Sequence, residues 1–191
     1  MAKLVRSDVS IVIPESEILF QQPCSFYLAG KSGSGKTSWL IEFIQHHRRL
    51  GHAGSYTRVY IYYKEHQQGI YERLRPYFDE PGCELHLKQC SQLPDDVYDK
   101  LDPRHSNLVV IDDLARSAGQ SEQALQLFTS GRHRNTSVFL LTQNIFSEGK
   151  HTRTISLNAQ YLCIFKSRDM AQVRTIARQA LGDDATKPFI D

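Results

Sequence analysis

The stretch GKSGSGKT, Gly30–Thr37, constrains the fold of this chain more than any other feature of its sequence. It matches the pattern GxxxxGK[ST] at every specified position, and it lies between a short apolar run, Ser25–Ala29, and a segment with apolar residues at helical spacing. A flexible glycine–serine turn before a helix is the alternative, but the Lys-Thr pair in register favours a phosphate-binding loop. The stretch therefore predicts a strand, a P-loop and a helix.

Each residue type in this loop suits contact with a triphosphate. The glycines allow backbone N–H groups to turn inward, and the helix that begins near Lys36 adds the positive end of its dipole. Lys36 is expected to reach the β- and γ-phosphates, and the Thr37 hydroxyl to bind Mg²⁺. The predicted cofactors are ATP and Mg²⁺. The residues predicted to bind the nucleotide are Gly30, Lys31, Ser32, Gly33, Ser34, Gly35, Lys36, Thr37 and Ser38.

Apolar runs alternate with helical patterns along the rest of the chain. The predicted strands are Ser25–Ala29, Arg58–Tyr63, residues 83–89, Leu108–Ile111, Val138–Leu141 and Tyr161–Phe165. Further helices are predicted at Ile70–Arg75, closed by Pro76, and after the caps Ser121 and Asp169. Continuous apolar strands are typical of parallel sheets covered on both faces. The alternation predicts an α/β fold, a mainly parallel sheet with helices on both faces.

Length and composition limit the organisation of the chain. With 191 residues and 40% hydrophobic content, we expect a single domain over residues 1–191, with residues 1–20 as an N-terminal extension that packs on the core. The formal charge of +2 excludes a basic tail, so contact with nucleic acid must come from local patches.

Cysteine spacing and hydropathy indicate the compartment. The four cysteines form no CxxC pair, which favours reduced thiols and no zinc site. There is no signal-peptide pattern and no apolar run long enough for a membrane span. The sequence therefore predicts an intracellular protein without a membrane partner.

A second apolar run, in NLVVIDDL, Asn107–Leu114, ends in two carboxylates. In an open α/β sheet it delivers Asp112 to the carboxyl edge beside the P-loop, where Asp112 is expected to hold Mg²⁺ directly or through water. Asp113 suits a general base that polarises the attacking water. The alternative is that Asp113 caps the following turn or pairs with a lysine.

The run Val138–Leu141 stops abruptly at Thr142, Gln143 and Asn144. Because the carboxyl ends of parallel strands meet at one edge, this end is expected beside Gly30 and the Asp pair. Gln143 is then a candidate sensor of the γ-phosphate or the lytic water. Thr142 and Asn144 are expected to make ordinary loop hydrogen bonds.

Two arginines, Arg132 and Arg134, precede the same strand and are expected at the opposite edge from their own subunit's phosphates. A guanidinium there suits an arginine finger that enters a neighbour's site in a ring. The alternative is a pair of solvated arginines. Arg168, just after the last predicted strand, is a competing candidate that could act within its own subunit.

The P-loop, LVVIDDL, residues 127–169 and the closing DDATKPF together resemble the viral DNA-packaging ATPases of the FtsK–HerA superfamily. The likeness is to the poxvirus-type packaging ATPase and its relatives in adintoviruses, polintons and adomaviruses, over about residues 20–190. It implies a RecA-like ASCE core, in which one strand lies between the P-loop strand and the Asp112 strand. It also implies Asp113 as catalytic acid, Gln143 as sensor and an arginine near Arg132–Arg134 as finger.

Members of this kind act as homo-oligomeric rings that translocate double-stranded DNA into capsids. The resemblance therefore implies dsDNA and a capsid or portal component as partners, at the site of virion assembly in the host cytoplasm or nucleus. Many FtsK–HerA proteins carry Asp-Glu where this chain carries Asp112-Asp113. Relatives are also expected to continue with another strand beyond Asp191.

The basic stretch Gly149–Thr154 is expected to form an exposed loop. Lys150 and Arg153 in it are candidates for contacts with DNA phosphates, and the alternative is that both are simply solvated.

The residues alone leave other functions open. A small P-loop nucleoside or nucleotide kinase needs an arginine-rich lid, which the sequence does not indicate. A switch or scaffold with weak hydrolysis is the third alternative. A GTPase is disfavoured because no clear [NT]KxD element appears.

Overall fold

A computed structural model describes residues 2–6, 9–13, 20–45, 56–64, 68–79, 81–144, 149–165 and 175. The strands are β1 (Ala2–Arg6), β2 (Val9–Ile13), β3 (Ser25–Ala29), β4 (Arg58–Tyr63), β5 (Glu84–Gln89), β6 (Asn107–Asp112), β7 (Thr136–Thr142) and β8 (Tyr161–Ile164). The helices are α1 (Lys36–Gln45), α2 (Gln68–Tyr71), α3 (Ala115–Ala118), α4 (Glu122–Ser130) and α5 (Thr152–Asn158). Short 3₁₀ helices span Glu72–Tyr77 and Gly131–Arg134.

The central sheet has the order β5-β4-β6-β7-β3-β8, and every described pair of its strands is parallel. The strand β7 lies between the P-loop strand β3 and the Asp112 strand β6. Ala29 pairs with Thr142, and Asp112 with Leu141, so the carboxyl ends of these three strands meet at the same level. This arrangement confirms the predicted parallel α/β sheet and its ASCE strand order.

Helices cover both faces of the sheet because successive side chains of a strand point to opposite faces. On one face Phe26 of β3 stacks on Phe139 of β7 at 4.4 Å between ring centroids and packs against α1. On the other face Tyr27 and Ala29 belong to a second core cluster with residues of α3, α4 and α5. The central strands are therefore buried between two apolar clusters. This packing holds in place the end of β3, where the P-loop begins.

The predicted elements agree with the structure apart from their ends. The helical stretch near Ile70 is an α-helix, α2, followed by a 3₁₀ helix that runs through Pro76 to Tyr77, so the predicted stop at Pro76 is wrong. Pro76 itself donates no backbone hydrogen bond, and the last turn is closed by Phe78, whose N–H donates to the Arg75 carbonyl at 3.0 Å. Ser121 caps α4 as predicted. The helix expected after Asp169 lies outside the described residues.

At the N-terminus, β1 and β2 pair with each other in antiparallel register. That residues 1–20 pack on the core stays a prediction. None of the helices in the described part of the chain is long and apolar enough to cross a membrane.

Candidate active site

The P-loop and the carboxyl ends of β6 and β7 enclose a cleft of about 300 Å³. Residues 32–38 of the loop line it, together with Ile70, Asp112, Asp113 and residues 141–143. Lys36, Thr37, Asp112 and Gln143, which are far apart in the sequence, therefore lie around one cleft. This convergence follows from the strand order, since β6 and β7 end beside the strand that carries the loop.

The loop conformation requires glycine at defined positions. A Cβ on Gly30 would lie 2.7 Å from the Cβ of Phe165, so a side chain there would clash with the residue after β8. Gly35 has φ 95°, a left-handed conformation that other residues adopt at a cost. The loop can therefore turn its backbone toward the cleft and enter α1 directly.

Lys36 is held inside the loop. Its Nζ donates hydrogen bonds to the carbonyl oxygens of Gly30, at 2.5 Å, and Lys31, at 3.1 Å. Burial lowers the pKa of Lys36, and the nearby charges of Asp112 and Asp113 oppose this effect. Gly30 and Lys31 do not themselves line the cleft. Their carbonyl groups hold the Lys36 ammonium at the floor of the cleft, where the ammonium can reach a bound phosphate.

The predicted metal ligands lie side by side. Thr37 Oγ1 donates to Asp112 Oδ2 at 3.4 Å, and Asp112 is only 3% exposed. A hydroxyl and a carboxylate beside a phosphate cradle are oxygen ligands of the kind that Mg²⁺ prefers. Thr37 and Asp112 are therefore the residues that would hold it.

One further residue of this site, Tyr71, is not indicated by any pattern in the sequence. Its hydroxyl, at the end of α2, donates to Asp112 Oδ2 at 2.5 Å, and its side chain is fully buried. Burial raises the pKa of Asp112, and the hydrogen bond from Tyr71 opposes that rise. No motif or spacing relates Tyr71 to Asp112, because only the packing of α2 over the end of β6 brings them together.

Asp113 and Gln143 form a direct pair at the mouth of the cleft. Gln143 Nε2 donates to Asp113 Oδ1 at 3.0 Å, across 30 residues of sequence. Asp113 has φ 56°, a left-handed conformation that is uncommon for a residue with a side chain and that concentrates at functional sites. Thr142 and Asn144 bond to each other, as expected of ordinary loop contacts. Gln143 is thus the polar residue at this strand end that faces the Asp pair.

The arginines Arg132 and Arg134 lie at the amino end of β7, in a 3₁₀ helix, and neither lines the nucleotide cleft. Arg134 is engaged within its own chain. Its guanidinium donates to the carbonyl oxygens of Leu101, at 2.9 Å, and Asp99, at 3.3 Å, and lies 4.8 Å from the ring centroid of Tyr98. The Arg132 side chain is exposed and has no hydrogen bond or ion pair with a described residue. Arg168 lies outside the described residues.

The stretch expected to be a basic loop, Gly149–Thr154, is irregular only over residues 149–151, so that prediction is wrong for residues 152–154. Helix α5 begins at Thr152, and a Cβ on Gly149 would lie 2.7 Å from backbone atoms of Gly119. The backbone N–H of His151 donates to the Gly119 carbonyl at 2.8 Å. The segments that follow β6 and β7 are therefore packed together. Lys150 is exposed but bonds to Glu122 at 3.1 Å.

Fold and site together define a RecA-like P-loop NTPase. The sequence matches the family model described as Poxvirus A32 protein over residues 15–180. The chain belongs to this family, which confirms the predicted resemblance to the poxvirus-type packaging ATPase. No curated protein matches the chain in sequence.

Solved structures show the same fold at low sequence identity. The genome packaging NTPase B204 of Sulfolobus turreted icosahedral virus 2, in complex with ATP-gammaS, superposes with a TM-score of 0.58 and 15% identity over 88% of this chain and 87% of that one. Its complex with AMPPCP gives a TM-score of 0.54 and 16% identity over 86% and 85%. These likenesses support the fold independently of the P-loop sequence.

Proposed function

We propose that this chain is an ATP-hydrolysing motor that translocates double-stranded DNA and packages a viral genome into a capsid. The observation that carries the proposal is the hydrogen bond between Gln143 and Asp113 at the mouth of a cleft that also holds Lys36. A carboxylate and an amide beside the phosphate cradle suit water as the acceptor of the γ-phosphoryl group. Family membership supports the packaging role, and the complexes of the B204 protein with ATP analogues support ATP as the nucleotide.

In the proposed reaction, Asp113 accepts a proton from the water that attacks the γ-phosphorus, and the bond to the ADP oxygen breaks. Gln143 orients that water and loses its bond to Asp113 when the γ-phosphate is present. Lys36 leaves the carbonyls of Gly30 and Lys31 to stabilise the negative charge on the phosphates. A Mg²⁺ ion on Thr37 and Asp112 would supply charge neutralisation between the β- and γ-phosphates.

We further propose that Arg132, and not Arg134, is the group that acts on a neighbouring subunit. Arg134 already binds two carbonyl oxygens and a tyrosine ring of its own chain, so releasing it would cost those contacts. Arg132 is exposed at the same edge and free of described partners. In a homo-oligomeric ring, that edge of one subunit can face the nucleotide cleft of the next.

The proposed partners are dsDNA, further copies of the chain and a capsid or portal component, in the cytoplasm or nucleus of the host where virions assemble. Arg153, exposed in the first turn of α5, and Lys150 beside it are proposed to contact DNA phosphates. They follow Gln143 closely in the sequence.

The test is hydrolysis of ATP with and without double-stranded DNA, measured as release of inorganic phosphate. We expect DNA or assembly to raise the rate and Lys36→Ala to lower it by about 100- to 1,000-fold. Phosphate transfer to a nucleoside or nucleotide without release of free phosphate would establish the kinase instead. Nucleotide binding with hydrolysis that neither DNA nor assembly raises would favour the switch or scaffold.

A further inference from the structure

Helix α2 contributes to the active site through two adjacent residues. Ile70 is 41% exposed and lines the nucleotide cleft, whereas Tyr71 is fully buried beneath it. The Tyr71 ring lies 5.6 Å from that of Tyr63, at the end of β4, and Tyr63 pairs in register with Asp112. The segment after β4 therefore folds back over the end of β6, where it delivers one hydroxyl to one carboxylate.

That hydroxyl fixes one oxygen of Asp112. The 2.5 Å distance from Tyr71 Oη to Asp112 Oδ2 is typical of a strong, charge-assisted O–H···O⁻ hydrogen bond. Thr37 Oγ1 is directed at the same oxygen, at 3.4 Å. Among the described residues, no donor bonds to Asp112 Oδ1. The two carboxylate oxygens thus differ: the fold holds Oδ2, and Oδ1 is left for a ligand.

We propose that Tyr71 is a positioning residue for the ATPase, which holds Asp112 by Oδ2 so that Oδ1 can bind the divalent cation that accompanies ATP, directly or through a water molecule. Groups that orient a metal ligand change metal affinity without touching the metal. Without the Tyr71 hydroxyl, only the longer hydrogen bond from Thr37 holds Oδ2, so the Asp112 carboxylate is less tightly oriented. The role rests on nucleotide binding by this site and is independent of DNA translocation.

The experiment compares the wild-type chain with Tyr71→Phe in binding a fluorescent, non-hydrolysable ATP analogue without DNA. The affinity is measured in EDTA and during titration with Mg²⁺, and bound Mn²⁺ is counted by electron paramagnetic resonance. We expect the Mg²⁺ concentration at half-saturation to rise about 10-fold in Tyr71→Phe. The affinity in EDTA should change less than about two-fold.

A double-mutant cycle separates positioning from a general loss of packing. In an Asp112→Ala background, Tyr71→Phe should cause no further loss of metal affinity, because the side chain that Tyr71 holds is gone. Tyr56→Phe is the matched control: it removes another buried hydroxyl, in a cluster with Cys24 and Ser137 away from the cleft. It should leave the Mg²⁺ half-saturation unchanged.

Two results would overturn the proposal. One is a folded Tyr71→Phe protein, judged by its thermal melt, with the wild-type dependence on Mg²⁺. The other is an equal loss of affinity in EDTA and in Mg²⁺, which indicates that Tyr71 only supports the shape of the cleft. Failure of DNA to stimulate hydrolysis would contradict the motor and leave these binding measurements unaffected.

Discussion

The two ends of β7 carry polar side chains that differ in what they contact. At the carboxyl end, Gln143 reaches across to Asp113, at the end of a neighbouring strand, beside a cleft that contains Lys36. At the amino end, Arg134 binds carbonyl oxygens of the segment that precedes β6 and lies over Tyr98. The first contact joins polar side chains that line an open cleft. The second holds two segments of the fold together.

This difference shows why charge alone does not identify a site. By residue type alone, the arginines before β7 indicate a functional site as strongly as the polar residues after it. Arg134, however, binds a loop of its own chain. A guanidinium with five donors suits backbone carbonyls as well as it suits a phosphate. The two ends of β7 differ in one respect: only at the carboxyl end do side chains from several strands meet at the nucleotide cleft.

The largest effect is expected from Lys36→Ala. The variant removes the cation at the floor of the cleft, so ATP hydrolysis should fall by about 100- to 1,000-fold. Phosphate release under saturating ATP measures this, and Lys100→Ala, an exposed lysine paired with Asp96, is the control. If Lys36→Ala retained most of the activity, the cleft at the carboxyl end would not be the site of hydrolysis.

The next effect concerns the Asp113–Gln143 pair. Asp113→Asn and Gln143→Ala should each lower single-turnover hydrolysis by about 100-fold while nucleotide binding is retained. Because the two side chains act on the same water molecule in the proposed reaction, the double variant should lose less than the product of the single losses. Fully multiplicative losses would show that the two residues act independently. The pairing of Gln143 with Asp113 would then make no contribution to catalysis.

A smaller effect should separate the two arginines at the amino end. Arg134→Ala should lower the free energy of unfolding by about 1–2 kcal/mol, since it loses hydrogen bonds and a cation–π contact. Arg132→Ala should leave stability within about 0.5 kcal/mol. Denaturant unfolding measures both.

Mixing experiments extend this comparison to the assembled state. Arg132→Ala should lower hydrolysis only in the ring, and mixing it with Lys36→Ala should restore part of the rate at shared interfaces. No recovery, with a protein that stays monomeric in ATP and DNA, would contradict action in trans. Recovery with Arg134→Ala instead would reverse the assignment of the two arginines.

Much of the carboxyl end could be predicted from sequence because its signals are local. The P-loop pattern, the apolar runs and the polar residues at Asp112, Asp113 and Gln143 are each readable in a few consecutive residues. The register of a parallel sheet then brings strand ends together without further information. This is why the predicted strands and the convergence around one cleft agree with the structure.

What the sequence could not show depends on contacts between distant segments. Tyr71 reaches Asp112 across 41 residues, and Arg134 reaches Leu101 across 33, with no pattern that relates either pair. The helix at Thr152 was missed because its first turn is stabilised by packing of Gly149 on Gly119, not by local propensity. Such contacts follow from tertiary packing, which a single sequence does not encode in any short window.

The smallest effect, at Ser121, tests whether the segment after β6 can be weakened without harm to the cleft. Ser121 Oγ accepts from the N–H of Ala124 at 3.2 Å and caps α4, but it does not line the nucleotide cleft. Ser121→Ala should lower the free energy of unfolding by about 1 kcal/mol, and Ser121→Gly by only a few tenths. Hydrolysis by both folded variants should equal that of the wild type. If Ser121→Ala slowed hydrolysis as much as Gln143→Ala, catalysis would depend on the whole segment after β6, and the contrast between the two ends of β7 would lose its basis.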